Sequence, residues 1–178
     1  MAVWVAFLRG VNVGGHRKVP MAQLRSLCED AGFTDVRTHI ASGNLVLSSS
    51  LRSAAKVRTL LEDRIESELG FPVVVVVRSV AQLQKVVDDV PFDDTAHAHV
   101  SFLVSAAERA AVRELEDAVT NDAQLTVVGD HAYLLAPQGL GKPFMTGGAD
   151  RRFSKLGTVR NWRTVQAVLA KAHEPGPK

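Results

Sequence analysis

The sequence predicts an α+β fold, and three observations carry that prediction. Over residues 1–78 the apolar pattern runs strand, helix, strand, strand, helix, strand, the ferredoxin-like split motif. From residue 79 a second α/β series begins and repeats the first in part. No Pro-, Gly- or Ser-rich stretch separates the two, so the expected division is 1–78 and 79–178 without an independent linker.

Each element follows from local chemistry. Residues 3–9 are β-formers apolar on both faces, which suits an interior strand. Pro20 fits a first helical turn, and Met21, Leu24, Leu27, Cys28 and Ala31 recur at helical spacing until Gly32. Cys28 therefore points into the core. Residues 36–40 and 45–47 form a hairpin across the polar turn Ala41-Ser42-Gly43-Asn44. Val57, Leu60, Leu61, Ile65 and Leu69 mark a second amphipathic helix stopped by Gly70, and the β-branched run 73–77 is a strand buried on both faces.

Ser79 can cap a third helix carrying Val80, Leu83, Val86, Val87 and Val90, closed by Pro91. A strand at 100–104, a helix with Ala107, Ala111, Leu115, Ala118 and Val119, and a hairpin of 125–128 with 131–135 across Gly129-Asp130 follow. Regular patterning lapses over 136–154, a long loop rich in glycine and basic residues. Trp162, Val165, Val168, Leu169 and Ala172 then mark a final helix, with Thr158 or Asn161 as its cap.

At 178 residues and 46% hydrophobic content the chain can bury a substantial core as a soluble globular protein. Apolar runs such as 73–77 fall far short of the about 20 residues of a membrane helix, and no membrane partner is expected. The N-terminal segment lacks a basic leader region and is interrupted by Arg9, so it reads as a strand and not as a signal peptide. A single cysteine excludes an intramolecular disulfide and a cysteine-rich zinc site, and these features together place the protein in the cytoplasm. The net charge of +2 does not demand a polyanionic partner, yet basic residues gather at 9–18 and 142–163. Oligomeric state is left open.

The first basic stretch surrounds Gly10-Val-Asn-Val-Gly-Gly-His16. Its outer spacing is that of a P-loop, but His16-Arg17 stand where Lys and Ser/Thr must reach the phosphates and the metal. What the pattern supports is general: a glycine loop between strand and helix can aim N–H groups at an anion, with Arg9, His16, Arg17 and Lys18 adding charge. The plainer alternative is a tight turn with solvated charges. The first and third strands of a split motif are antiparallel neighbours, so Ser42, Gly43 and Asn44 fall near Arg9 and Asn12.

The leading expectation is therefore a pocket for a small phosphate- or carboxylate-bearing molecule. Arg9 and Lys18 would neutralise the anion, Gly14 and Gly15 would present N–H groups, and Asn12, Asn44 and Asn161 would orient polar atoms, with Ser42, Gly43 and Arg160 alongside. Trp162 reads as a core anchor. His16 or His39 has the chemistry of a base without an identifiable partner, so catalysis is unassigned. No cofactor is assigned, and no metal, since only His97 and His99 among Asp93, Asp94 and their neighbours have sensible strand spacing.

Two rivals stand beside this. Single-stranded nucleic-acid binding is disfavoured, because residues 45–47 offer no stacking aromatic and the chain is only 6% aromatic. A structural or partner-binding module would use the same polar motifs for turns and docking.

Leu8-Arg-Gly-Val-Asn-Val-Gly-Gly15 with Lys18 and Met21, then Arg37-Thr38 and Ser42-Gly-Asn44, and finally Thr158-Val-Arg-Asn-Trp-Arg-Thr-Val165, resemble a bacterial family catalogued as a domain of unknown function. The resemblance implies two linked ferredoxin-like subdomains and implies no activity. Where relatives show a Gly-Ile-Gly-Arg-Ser-Lys-like stretch, this chain has Gly139-Leu-Gly-Lys142 and reaches Ser154-Lys155-Leu156 only later, so no role is carried to Lys142 or Lys155.

Overall fold

The computed structural model describes residues 1–14, 17–120 and 122–176. The first sheet holds β1 (Ala2–Leu8), β2 (Thr34–His39), β3 (Asn44–Ser49) and β4 (Val75–Ser79), in the order β2-β3-β1-β4 with every neighbour antiparallel. Helices α1 (Met21–Asp30) and α2 (Ala54–Leu69) complete the βαββαβ unit, and α3 (Val80–Asp88) follows directly. Trp4, Ala6 and Leu8 of β1 join Leu24, Leu27 and Cys28 of α1 and Leu61 and Ile65 of α2 in one apolar core. Val5 and Phe7 on the opposite face are buried as well, as expected of a central strand.

The second sheet holds β5 (Ala98–Leu103), β6 (Gln124–Val128), β7 (His131–Leu135) and β8 (Gly157–Asn161), ordered β6-β7-β5-β8 and again antiparallel. Its helices are α4 (Arg109–Asp117) and α5 (Ala149–Leu156), and α6 (Trp162–His173) ends the chain's regular structure. The fold class is α+β, with two ferredoxin-like units.

The second repeat is complete, where the sequence predicted a partial one. Residues 149–154 of the expected loop belong to α5, seated through Ala149 and Phe153, whose four-residue spacing puts both in the core. Residues 157–161 form β8, paired with β5 through Phe102↔Thr158 and Val100↔Arg160. Thr158 is thus a strand residue, and Asn161 is the cap of α6: its Oδ1 accepts from the Thr164 N–H at 2.8 Å. Ser79 caps α3 as expected, in a reciprocal pair with Gln82 at 3.1 and 2.9 Å.

The compact units also divide elsewhere than at 78/79. The first comprises residues 1–88 and the chain from Gln166 onward; the second is Asp89–Val165. Helix α3 packs on β1 and β4 and so stays with the first unit. The end of α6 is tied to β2 by Arg37, whose Nη1 donates to the Lys171 and Glu174 carbonyls at 2.6 and 3.0 Å. Among the described residues, no helix is long and apolar enough to cross a membrane.

The duplication extends to single residues. Val5 pairs with Arg78 in the first sheet and Val100 with Arg160 in the second, making Ala6 and Ser101 equivalent. Each arginine is buried and donates Nη1 to the carbonyl of the residue before it, Val77 at 3.0 Å and Val159 at 2.9 Å. Leu8 N–H bonds Gly43 O at 2.8 Å, as Leu103 N–H bonds Asp130 O at 2.9 Å.

Candidate functional site

The loop after β1 and the β2–β3 turn meet at one end of the first sheet, as the antiparallel pairing of β1 and β3 requires. Their contact is a mutual lock. Asn12 adopts a left-handed backbone (φ 56), which Asn tolerates better than most residues. Its Nδ2 donates to Val19 O at 2.9 Å and Ala41 O at 2.7 Å, and its Oδ1 accepts from Val19 N–H at 2.8 Å. Its own N–H reaches Arg17 O at 3.1 Å, closing the glycine loop.

Gly43 completes the lock. At φ 73, a Cβ there would lie 2.7 Å from both Leu8 Cβ and Val11 Cγ2, so only glycine fits. Asn44 is buried and donates to His39 O at 3.0 Å and Ser42 Oγ at 2.9 Å, which fixes the turn internally. Asn12, Ser42, Gly43 and Asn44 are thus brought together as expected, with their polar atoms directed at the chain itself.

Beside this lock lies a cleft of about 600 Å³, lined by Arg9, Gly10 and Arg17 of the loop, Glu62, Asp63 and Glu66 of α2, and Pro72, Val73 and Val74. Arg9 N–H bonds Val74 O at 2.9 Å, which holds the loop's start against the entry to β4. Glu62 Oε1 accepts from Val75 N–H at 2.8 Å, which orients that carboxylate. The three acidic residues were not foreseen as site residues, whereas Arg17 was expected to add charge to the loop. The signal of the acidic residues in the sequence is only a polar helix face; the folding of α2 against the loop makes them its neighbours.

Lys18 is exposed and borders a second, shallower depression of about 400 Å³ with Asn12, Val19, Pro20, Met21 and Ala41. Gly14 is exposed with φ 60, while Gly15 and His16 lie outside the described residues. Arg160 and Asn161 belong to the second unit. Burial lowers the Arg160 pKa to about 10, and its Nη1 donates to Thr158 Oγ1 at 2.7 Å as well as to the backbone. Asn161 acts as the α6 cap.

Other reactive side chains carry little chemistry. Desolvation, with Glu29 adding to it, pushes the Cys28 thiol up to about 12, so it is no nucleophile. Burial lowers the His99 pKa, despite the hydrogen bond of its Nδ1 with His97 O at 3.0 Å. Among the described residues, no group of three His, Cys, Asp or Glu side chains is placed to hold a metal. Phe7, on the sheet face opposite α1 and α2, and Phe102 are fully buried and present no ring for a base to stack on.

Comparison with known proteins gives a family and a fold. The family model described as "Protein of unknown function (DUF1697)" matches residues 1–133, which includes the first two motifs and ends before the third. The solved structure of the conserved bacterial protein SP0830 from Streptococcus pneumoniae is similar across 96% of this chain and 98% of that one. It has a TM-score of 0.73 at 20% sequence identity, a likeness of fold. No curated protein matches. With three-quarters of its length matched by that family model, the chain belongs to the DUF1697 family of proteins of unknown function.

Proposed function

We propose that this protein binds a small phosphate- or carboxylate-bearing molecule in the cleft between the loop after β1 and α2. One observation carries this reading: a cleft of about 600 Å³ is lined by both Arg9 and Arg17 of the glycine loop. That volume suits a metabolite-sized ligand, and guanidinium groups recognise phosphate and carboxylate in a fork geometry. Arg17 makes no hydrogen bond or ion pair through its guanidinium with a described residue, so engaging an anion there breaks no guanidinium contact to those residues. Asn12, Ser42, Gly43 and Asn44 act one step back, setting the loop's shape.

A thermal-shift panel of nucleotides, sugar phosphates and carboxylates on wild type and Arg17→Ala tests this. A ligand at about 100 times its Kd adds about 2.7 kcal/mol, which raises Tm by roughly 5–10 °C for a chain of this size. The shift is expected in wild type and lost in Arg17→Ala with the variant's own Tm nearly unchanged. A panel without any shift would remove the proposal.

The saturated hydrogen bonds of Asn12 favour a second reading, a structural or partner-binding module in which the motifs only build turns. That reading predicts that Arg9→Ala lowers stability and alters no ligand response.

A further inference from the structure

We infer that the ligand of this cleft is an ampholyte, carrying an ammonium or similar cationic group beside its phosphate or carboxylate. The inference rests on the anion reading above and specifies it. The described lining sets two guanidiniums, Arg9 and Arg17, against three carboxylates, Glu62, Asp63 and Glu66, and so is one charge negative. A phosphate dianion alone would enter against that balance, with half-buried Glu62 and exposed Asp63 and Glu66 beside it.

The acidic groups are arranged to receive a cation. Glu62 is held by the Val75 N–H at 2.8 Å, so one carboxylate is fixed in orientation. The Asp63 and Glu66 carboxylates make no hydrogen bond or ion pair with a described residue. Glu62 and Glu66 stand four residues apart on α2, a like-charge spacing that a bound cation relieves. Pro72, Val73 and Val74 complete the lining and add apolar surface suited to the short carbon chain that separates the charges of an amino acid or amino-phosphate.

Matched pairs test this directly, because exchanging an ammonium for a hydroxyl leaves the rest of the molecule intact. The pairs are O-phosphoserine with 3-phosphoglycerate, phosphoethanolamine with 2-hydroxyethyl phosphate, and glutamate with 2-hydroxyglutarate, titrated calorimetrically into the full chain. In at least one pair the ammonium member is expected to bind at least about tenfold tighter, a difference of about 1.4 kcal/mol. The double variant Asp63→Asn/Glu66→Gln should erase that preference, whereas Arg17→Ala should weaken both members alike. Equal or tighter binding of the hydroxyl member in every pair that binds would overturn the ampholyte and leave the anion reading standing. So would a preference that survives the double variant, or a hydroxyl member that binds only with added magnesium chloride. No binding by any member would overturn the ampholyte, and no shift across the wider panel above would remove the anion reading as well.

Discussion

The two units share strand order, pairing and a buried arginine at the same register, but they differ in what their connections carry. The step from β1 to α1 takes residues 9–20, whereas the equivalent step from β5 to α4 takes only 104–108. Arg9 N–H bonds Val74 O just as Val104 N–H bonds Leu156 O, which makes Val104 the counterpart of Arg9. Where one unit has a guanidinium lining a cleft, the other has an aliphatic side chain. Helix α2 has 16 residues and supplies the acidic wall, while α5 has 8 and its unit instead lengthens the β7–α5 connection. Strand pairing sets the topology in both, and each unit elaborates a different connection, the proposed site lying at the one after β1.

The turn glycines break this comparison most sharply. Gly43 and Gly129 both have positive φ, but a Cβ at Gly129 meets nothing within 4 Å. Gly43→Ala combines left-handed strain with overpacking and should cost about 3 kcal/mol, against about 1 kcal/mol for Gly129→Ala. Urea unfolding measures both, and equal losses would deny the lock between the turn and β1.

Asn12→Gly comes next. It keeps the left-handed backbone and removes three side-chain hydrogen bonds, so about 2 kcal/mol of stability should go, with faster amide exchange at Val19. Unchanged exchange would show that the loop is held by other means.

Ser101→Ala runs the other way. The Ser101 hydroxyl is buried with no hydrogen-bond partner among the described residues, and its counterpart in the first unit is Ala6. Giving the second unit the residue of the first should stabilise by about 1 kcal/mol, and a loss on chemical denaturation would contradict the equivalence.

The smallest effect is pH dependence in the second unit. Because burial holds the His99 pKa below its ordinary 6.5, the unfolded chain takes up the proton first. The stability of the neutral form is full above that value and is lost as pH falls through the folded pKa. His99→Gln should therefore lose less stability than wild type between pH 7 and pH 5, and parallel losses would assign the acid sensitivity elsewhere.

Much of this was legible locally. The apolar spacing of Leu24, Leu27 and Cys28, the stop at Gly70, the cap at Ser79 and the Gly129-Asp130 hairpin all follow from nearest neighbours along the chain. Helix α5 was harder to see, because its short apolar stripe of Ala149 and Phe153 is embedded among glycines and charges. Thr158 and Arg160 read as a polar helix start until β5 claims them as partners. For the candidate site, Arg9 and the meeting of the glycine loop with the Ser42–Asn44 turn followed from strand order, but the direction of the asparagine amides did not.

The sequence by itself determined the α+β class, the first ferredoxin-like unit and the position of the glycine loop at a strand end, because periodicity and turn chemistry act over a few residues. Only the tertiary structure decided which polar side chains are consumed by the fold. It turned Asn12 and Asn44 inward onto backbone carbonyls, and it brought Glu62, Asp63 and Glu66 across from Arg9 and Arg17. Partners separated by some fifty residues are chosen by packing, and no local pattern carries that choice.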